Sequence, residues 1–341
     1  MARLDTAAER PLSLRKDSSK CFSADSGAAG GWEDEKRAAA PIDDEEDAYP
    51  AGAECSADDD KSVIVLSTAE LQPFEEGQVS PEMLMLAIQN MREQEDWLVQ
   101  HEATVTLRRV IVHHTFIVRD HHVDAFLDHL ILGCDNLRSA LSKNSLLAFA
   151  ECFEWLSTAT QHEKFLRHGA LLDTLLRRAS CEKKFLRDAA AYAVQQMVAF
   201  LASWQLITSA GAYATTKNGR LCGNAARVVS SSLLRLHKRS QNRSTEQLFT
   251  LENDDLKQTC QALAGFHGSK DKRARLEASA SFKILGDELG QEKLDTLLKS
   301  AVKDQLSANR ILKEVFPSKD ASHSKGRRGS LRERMLLEAS S

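Results

Sequence analysis

All six prolines of this 341-residue chain (Pro11, Pro41, Pro50, Pro73, Pro81 and Pro317) lie outside residues 82–316. Proline in a helix interior removes a hydrogen bond and clashes with the preceding turn, at a cost of about 3 kcal/mol. A β-rich or α/β domain of such length would carry several prolines in its turns. The interval therefore reads as one helix after another, and the expected fold is all-α.

The apolar residues inside the interval have helical spacing. Leu146, Phe149, Ala150, Phe153 and Leu156 form one face; Tyr192, Ala193, Met197, Phe200 and Leu201 form a second; Leu276, Ala280, Ile284 and Leu285 form a third. Polar connections are expected over 90–96, 157–163, 180–184, 215–220 and 268–272. Helix starts near Trp97, Arg138, Arg187, Arg220 and Arg275 recur at a mean interval of about 44 residues, within the HEAT and armadillo period. The sequence predicts an α-solenoid of about five to six HEAT-like helix pairs, each burying an apolar face on its neighbours.

Charge divides the chain. Residues 1–80 hold 8 Lys/Arg against 19 Asp/Glu, a net of −11, and the remainder is at +7. Residues 1–61, rich in Ala, Ser, Gly and acid, cannot bury enough apolar surface to offset chain entropy and are expected to be a disordered acidic leader. The domain then spans 62–316, and 317–341 is expected to be a disordered basic tail. The run Ser62–Leu66 either docks on the domain as an extended segment or binds a partner. In the tail, Arg327-Arg328-Gly329-Ser330 matches basophilic kinase preference, making Ser330 a candidate phosphorylation site whose added charge would weaken attraction to an acidic surface. Residues 331–338 could form a short amphipathic helix.

Several function classes find no support. The seven cysteines are scattered without a CxxC pair, which suits reduced, mostly buried thiols in an intracellular protein. The histidines at 113, 114, 121, 122 and 129 lack metal-ligand spacing. No phosphate loop and no Gly-x-Ser-x-Gly elbow is present. No apolar run reaches membrane-spanning or signal-peptide length. A mildly basic body without interleaved aromatics fits nucleic acid poorly. The reading is of a non-enzyme with no cofactor, no metal, no nucleic acid and no membrane partner.

Three motifs, in order, carry a family resemblance. Glu95-Asp96-Trp97, followed by Arg108-Arg109-Val110-Ile111, resembles the first repeat of a TOG domain of the CLASP and crescerin type. Asn136-Leu137-Arg138-Ser139 is similar to the second repeat's N-L-R-S motif. Lys183-Lys184-Phe185-Leu186-Arg187, with Ala193 and Met197-Val198, resembles the third, and Leu71-Gln72-Pro73-Phe74 resembles a crescerin lead-in. The match covers roughly residues 71–205, with helical pairs continuing beyond.

The resemblance implies a paddle whose intra-repeat turns grip α/β-tubulin or microtubules. That suggests a cytoplasmic, cytoskeletal protein, with cilium, flagellum or basal body as a setting and other cytoskeletal or ciliary proteins as further partners. Carried over by position, the edge comprises Trp97; Asn136 and Arg138; Lys183, Lys184 and Arg187; Lys217 and Arg220; and Lys272 and Arg273. Structural alternatives stand beside these. Trp97 can pack into the core, Arg138 can pair with Asp135 and Arg187 with Asp188, and Lys217, Lys272 and Arg273 can be solvated loop residues. The alternative function is a helical-repeat scaffold that holds another protein without binding tubulin.

Overall fold

The computed structural model describes residues 63–92, 95–242, 249 and 254–317. All of them lie in one of the chain's two compact units, Lys61–Ser341. The expected leader 1–61, the tail beyond Pro317, Ser330 and the 331–338 helix therefore lie outside the described residues.

Twelve α-helices and no strand occur among the described residues. They follow as α1 (Pro81–Asn90) with α2 (Trp97–His113), then α3 (Asp120–Cys134) with α4 (Ser139–Trp155). Two short helices, α5 (Ala159–Arg167) and α6 (Gly169–Arg178), precede α7 (Lys184–Leu201). Next come α8 (Trp204–Gly211) with α9 (Gly219–Asn242), α10 (Asp254–His267) with α11 (Lys272–Ala301), and α12 (Gln305–Val315). The second helices of the first five pairs begin at 97, 139, 184, 219 and 272, so their spacings are 42, 45, 35 and 53 residues. This is an irregular HEAT-like array, as the sequence predicts.

Caps set many of these starts. Ser80 accepts from the Met83 amide, with Pro81 at the first helical position of α1. Asp96 caps α2, Ser203 α8, Asp271 α11 and Asp304 α12, each satisfying amides that the helix leaves unbonded. Such a cap stabilises by about 1 kcal/mol. The interior of α11 breaks at Gly290, where φ is 75° and ψ 169°. A side chain at positive φ is strained, and glycine is not. The break leaves a second, shorter stretch that packs with α12 as a sixth pair.

The second helices α2, α4, α7, α9 and α11 stack in order as one layer, and α1, α3, α6, α8 and α10 pack behind them. The apolar core runs between the layers. Phe149 and Phe153 stack with ring centroids 6.0 Å apart, and Phe165 of α5 meets Phe153 edge-on at 5.3 Å. The stack is close from α2 through α4 to α7 and again from α9 to α11, but much thinner between α7 and α9.

Three sequence expectations need correction. Residues 159–163 are not a connection but the first turns of α5, whose capping box joins Thr158 and Gln161. The buried stripe of α11 is Ala274, Ala278, Phe282, Leu285 and Leu289, so Leu276 and Ala280 face outward. Small alanines and one phenylalanine fit closely against α9 and α10, and the leucine is left to solvent. The second face is also partly outward, for Tyr192 and Phe200 are 36% and 40% exposed.

The chain ahead of α1 is held from Leu66 onward, whereas Ile64 of the preceding apolar run is 77% exposed. Arg108 is fully buried and forms a two-point pair with Glu151, closest at 2.7 Å. The same guanidinium donates to the Leu66 carbonyl and to Asn144 Oδ1, while Thr68 donates to Glu151 at 2.8 Å. Arg109 donates to the carbonyls of Gln72 and Pro73 and stacks over Phe74, 3.5 Å from its ring centroid. Residues 66–74 thereby form a strap tied to α2 and α4. Two of the clustered histidines serve this packing, His113 bonding the Leu71 carbonyl and His114 Nε2 accepting from the Phe74 amide, while His122 Nδ1 accepts from the Arg119 amide at the start of α3.

Candidate functional site: an edge of turns

Polar turns lead into the second helices of the first five pairs, residues 93 and 94 of the first lying outside the described residues, and neighbouring turns are linked side by side. In the first, Trp97 opens α2 directly after its Asp96 cap and is half-buried. The Arg138 guanidinium lies over its indole, 5.5 Å from the ring centroid, and His101 meets it edge-on at 6.5 Å. A cation over an indole face is favourable, more so where water is partly excluded. Trp97 is therefore neither a core residue nor a free one. It forms the floor on which the second turn rests.

That second turn is shaped by Asn136, whose side-chain oxygen accepts from the Arg138 amide at 2.8 Å. This local bond bends the chain between α3 and α4 and projects Leu137, which is 94% exposed. Asp135 does not pair with Arg138. It is held instead by Arg177, with two bonds of 2.7 Å, and by Arg178 at 3.0 Å. The Arg177 hydrogen bonds keep the Asp135 carboxyl below the usual carboxylate range, against the opposing effect of burial.

In the third turn Lys183 and Lys184 are exposed at the start of α7, and Lys183 Nζ donates to Ser139 Oγ across to the second turn at 3.1 Å. Arg187 does not pair with Asp188. It folds back to donate to the Cys181 and Glu182 carbonyls at 3.2 and 3.3 Å. In the fifth turn Arg275 does the same with the Ser269 and Lys270 carbonyls at 2.9 and 2.8 Å. Both arginines stand four residues after the helix cap, so the two turns share one internal brace.

The fourth turn carries Lys217 and Arg220, both exposed, around Asn218, whose side chain accepts from the Leu221 amide. It is tied backward by Asn224, which donates to the Ala179 carbonyl at 2.9 Å, and forward through Cys222, 3.4 Å from Ser269 Oγ. The approach to the fifth turn is close: a Cβ on Gly223 would sit 2.9 Å from Asp271 Oδ1. Glycine there lets α9 and the α10–α11 turn meet. Lys272 and Arg273 follow Asp271 and are exposed.

The ten residues singled out in the sequence thus lie in or beside five turns joined in chain order. Arg138, Lys183, Lys184, Lys217, Arg220, Lys272 and Arg273 present charge outward. Asn136 and Arg187 shape and brace their own turns, and Trp97 supports Arg138. Leu137 and Phe185, the latter 45% exposed, were not singled out. The signal for Leu137 is a single leucine between two polar turn residues, on no helical face.

Cys134, Cys152 and Cys260 are buried, and burial pushes their thiols up, that of Cys260 to about 12. No cluster of three metal-ligating side chains occurs among the described residues, and no helix there is long and apolar enough to cross a membrane.

No family model matches the chain, and no curated protein matches it. Among solved structures it is similar to one described by the words "Crescerin uses a TOG domain array to regulate microtubules in the primary cilium". That match has 15% identity, covers 70% of this chain and 89% of that one, and has a TM-score of 0.47. It is also similar to the MAST/Orbit N-terminal domain, at 14% identity, 67% and 94% coverage and a TM-score of 0.47. The TOG domain of Zyg9 from C. elegans matches at 14% identity, 74% and 90% coverage and a TM-score of 0.47. Similarity at this level leaves the edge to be read from its own residues.

Proposed function

We propose that this chain is a TOG-like, tubulin-binding module that regulates microtubule dynamics or organisation, with cilia or flagella as one setting. The observation that carries the reading is the row of linked turns. Four of the five turns bear the seven outward cations, with an indole in the first turn and Leu137 in the second. A row of Lys and Arg steers an acidic partner and makes the encounter sensitive to salt. Apolar side chains set among them can fill pockets on the partner, where most binding energy is concentrated. The motifs around Trp97, Asn136 and Phe185 resemble TOG repeats, which is why tubulin is the named partner.

The edge acts by binding alone in this reading, and no bond is made or broken. A single module of this kind gains strength on polymer through several copies or a second binding partner, since linked sites raise effective concentration.

Co-elution of the full chain with free α/β-tubulin on a sizing column, at low and at moderate salt, tests the proposal. A complex is expected at low salt and should weaken as salt rises. Trp97→Ala combined with Lys183→Glu should weaken it at least tenfold. Absence of a complex at low salt would overturn tubulin binding and leave the scaffold reading. A complex indifferent to the double substitution would overturn the edge.

A further inference from the structure

The outer face of the second-helix layer carries a feature that the turn edge does not use. Where α7 and α9 stack thinly, the layer opens into a groove of about 730 Å³. Hydrogen bonds pin the seam at both ends. Asn224 donates to the Ala179 carbonyl and to Ser180 Oγ near the turns, and Arg239 donates to the Ala202 carbonyl, 2.9 Å away, at the far end. Between the pins the helices stand apart, so the groove is part of the fold.

Its lining has a definite chemistry. Tyr192 and Leu234 are large apolar side chains left 36% and 40% exposed, with Val198 beneath them. Along α9 run Arg227, Arg235 and Lys238, at intervals of eight and three residues, which keeps them on one helix face. Arg235 and Lys238 have no ion pair among the described residues, and Arg227 is held only by Glu277 at 3.6 Å. Asp188 is the one acid lining the groove. At about 1.5 Å per helical residue, the span from Asn224 to Lys238 is roughly 20 Å. That accommodates about six residues of extended chain at ~3.3 Å each.

We propose that the α7–α9 groove is a peptide-binding site for a short, extended acidic segment whose apolar side chains alternate with carboxylates. Charge complementarity argues for this occupant. Three lining cations, of which Arg227 is already paired with Glu277, face one lining acid, and cations of that spacing can each meet a carboxylate along an extended chain. The alternate side chains of such a chain point to the opposite side, so they can settle on Tyr192, Leu234 and Val198. An uncharged amphipathic helix would leave the cations unused, and a basic peptide would be repelled.

Fluorescence anisotropy on the full chain tests the site, with a fluorescein-labelled octapeptide of alternating glutamate and leucine as the probe. Saturable binding is expected at low salt. Arg235→Glu combined with Lys238→Glu should weaken it at least tenfold, and the matching lysine–leucine peptide should not bind. Ala191→Trp, an exposed substitution that fills the groove without touching a charge, should weaken binding similarly and keeps the test open if the charge reversal fails to fold. Lys183→Glu with Lys184→Glu on the turn edge should leave peptide affinity unchanged. Failure of the probe to saturate would overturn the proposal. So would indifference to both groove variants, or equal loss with the edge variant, which would mean unspecific attraction to a basic surface. Tubulin co-elution of the groove variants should be unaltered, so the two sites can fail separately.

Discussion

Arg108 shows what a single buried charge imposes. With its guanidinium wholly enclosed, Glu151, Asn144 and the Leu66 carbonyl all depend on it. Arg108→Met would leave the Glu151 carboxylate buried without its partner, a loss of about 3–5 kcal/mol. Urea denaturation measures it. Replacing both residues with methionine should recover most of that loss, because the uncompensated charge goes too. Leu137 is the opposite case. Nothing inside the fold depends on a side chain 94% exposed, so Leu137→Ser should change stability by less than about 0.5 kcal/mol while weakening tubulin co-elution. Unchanged co-elution would remove Leu137 from the edge. Asp135 makes the fold sensitive to acid. Its arginine partners depress the carboxyl in the folded state, so its stabilisation is present above the unfolded value near 4 and is lost as pH falls through the lower folded value. Asp135→Asn should flatten that acid limb in denaturation curves taken below pH 5.

Among the elements, the break in α11 is held by backbone conformation alone. A Cβ on Gly290 would meet nothing within 4 Å, so Gly290→Ala tests only the cost of positive φ. That cost is about 1–3 kcal/mol, visible as a lowered thermal midpoint. An unchanged midpoint would mean that the final pair tolerates a continuous helix. The elements themselves were legible because prolines and helical periodicity are local signals. The face of α11 was not, since Leu276 and Phe282 compete for the core and only their neighbours decide between them. At the edge, the motifs around Asp96-Trp97 and Asn136–Ser139 marked the first two turns from sequence, whereas nothing in it showed the back-bonding of Arg187. An arginine near a helix start suggests an acid partner, and only the turn's geometry shows that its carbonyls lie closer. The missed α5 has a related cause: Ser157, Thr158 and Thr160 look like loop, and Thr158 is in fact a cap.

At the scale of the whole domain, the thin stacking of α7 on α9 divides the layer into two better-packed blocks. In a repeat array, stability is roughly the sum of each unit and its contacts with neighbours, so a weak contact is where cooperativity gives way first. Native-state hydrogen exchange should find the amides of α4 and α7 opening separately from those of α9 and α11. Asn224→Ala, by removing a pin, should widen the difference. A single common opening for both blocks would show that the seam transmits cooperativity fully.

The strap over α2 and α4 bears on where the polypeptide can be cut. A fragment beginning at Pro81 would contain every α-helix among the described residues and look complete on a topology diagram. It would lack the Leu66 carbonyl that receives Arg108, the Thr68 hydroxyl on Glu151, and the carbonyls and ring that hold Arg109. Proteolysis between residues 75 and 80 should therefore yield a shortened product that exposes Arg109 and hydrates the Arg108–Glu151 pair. The natural boundary of the folding unit precedes its first helix by more than a dozen residues, within a stretch that carries no regular secondary structure beyond one short turn.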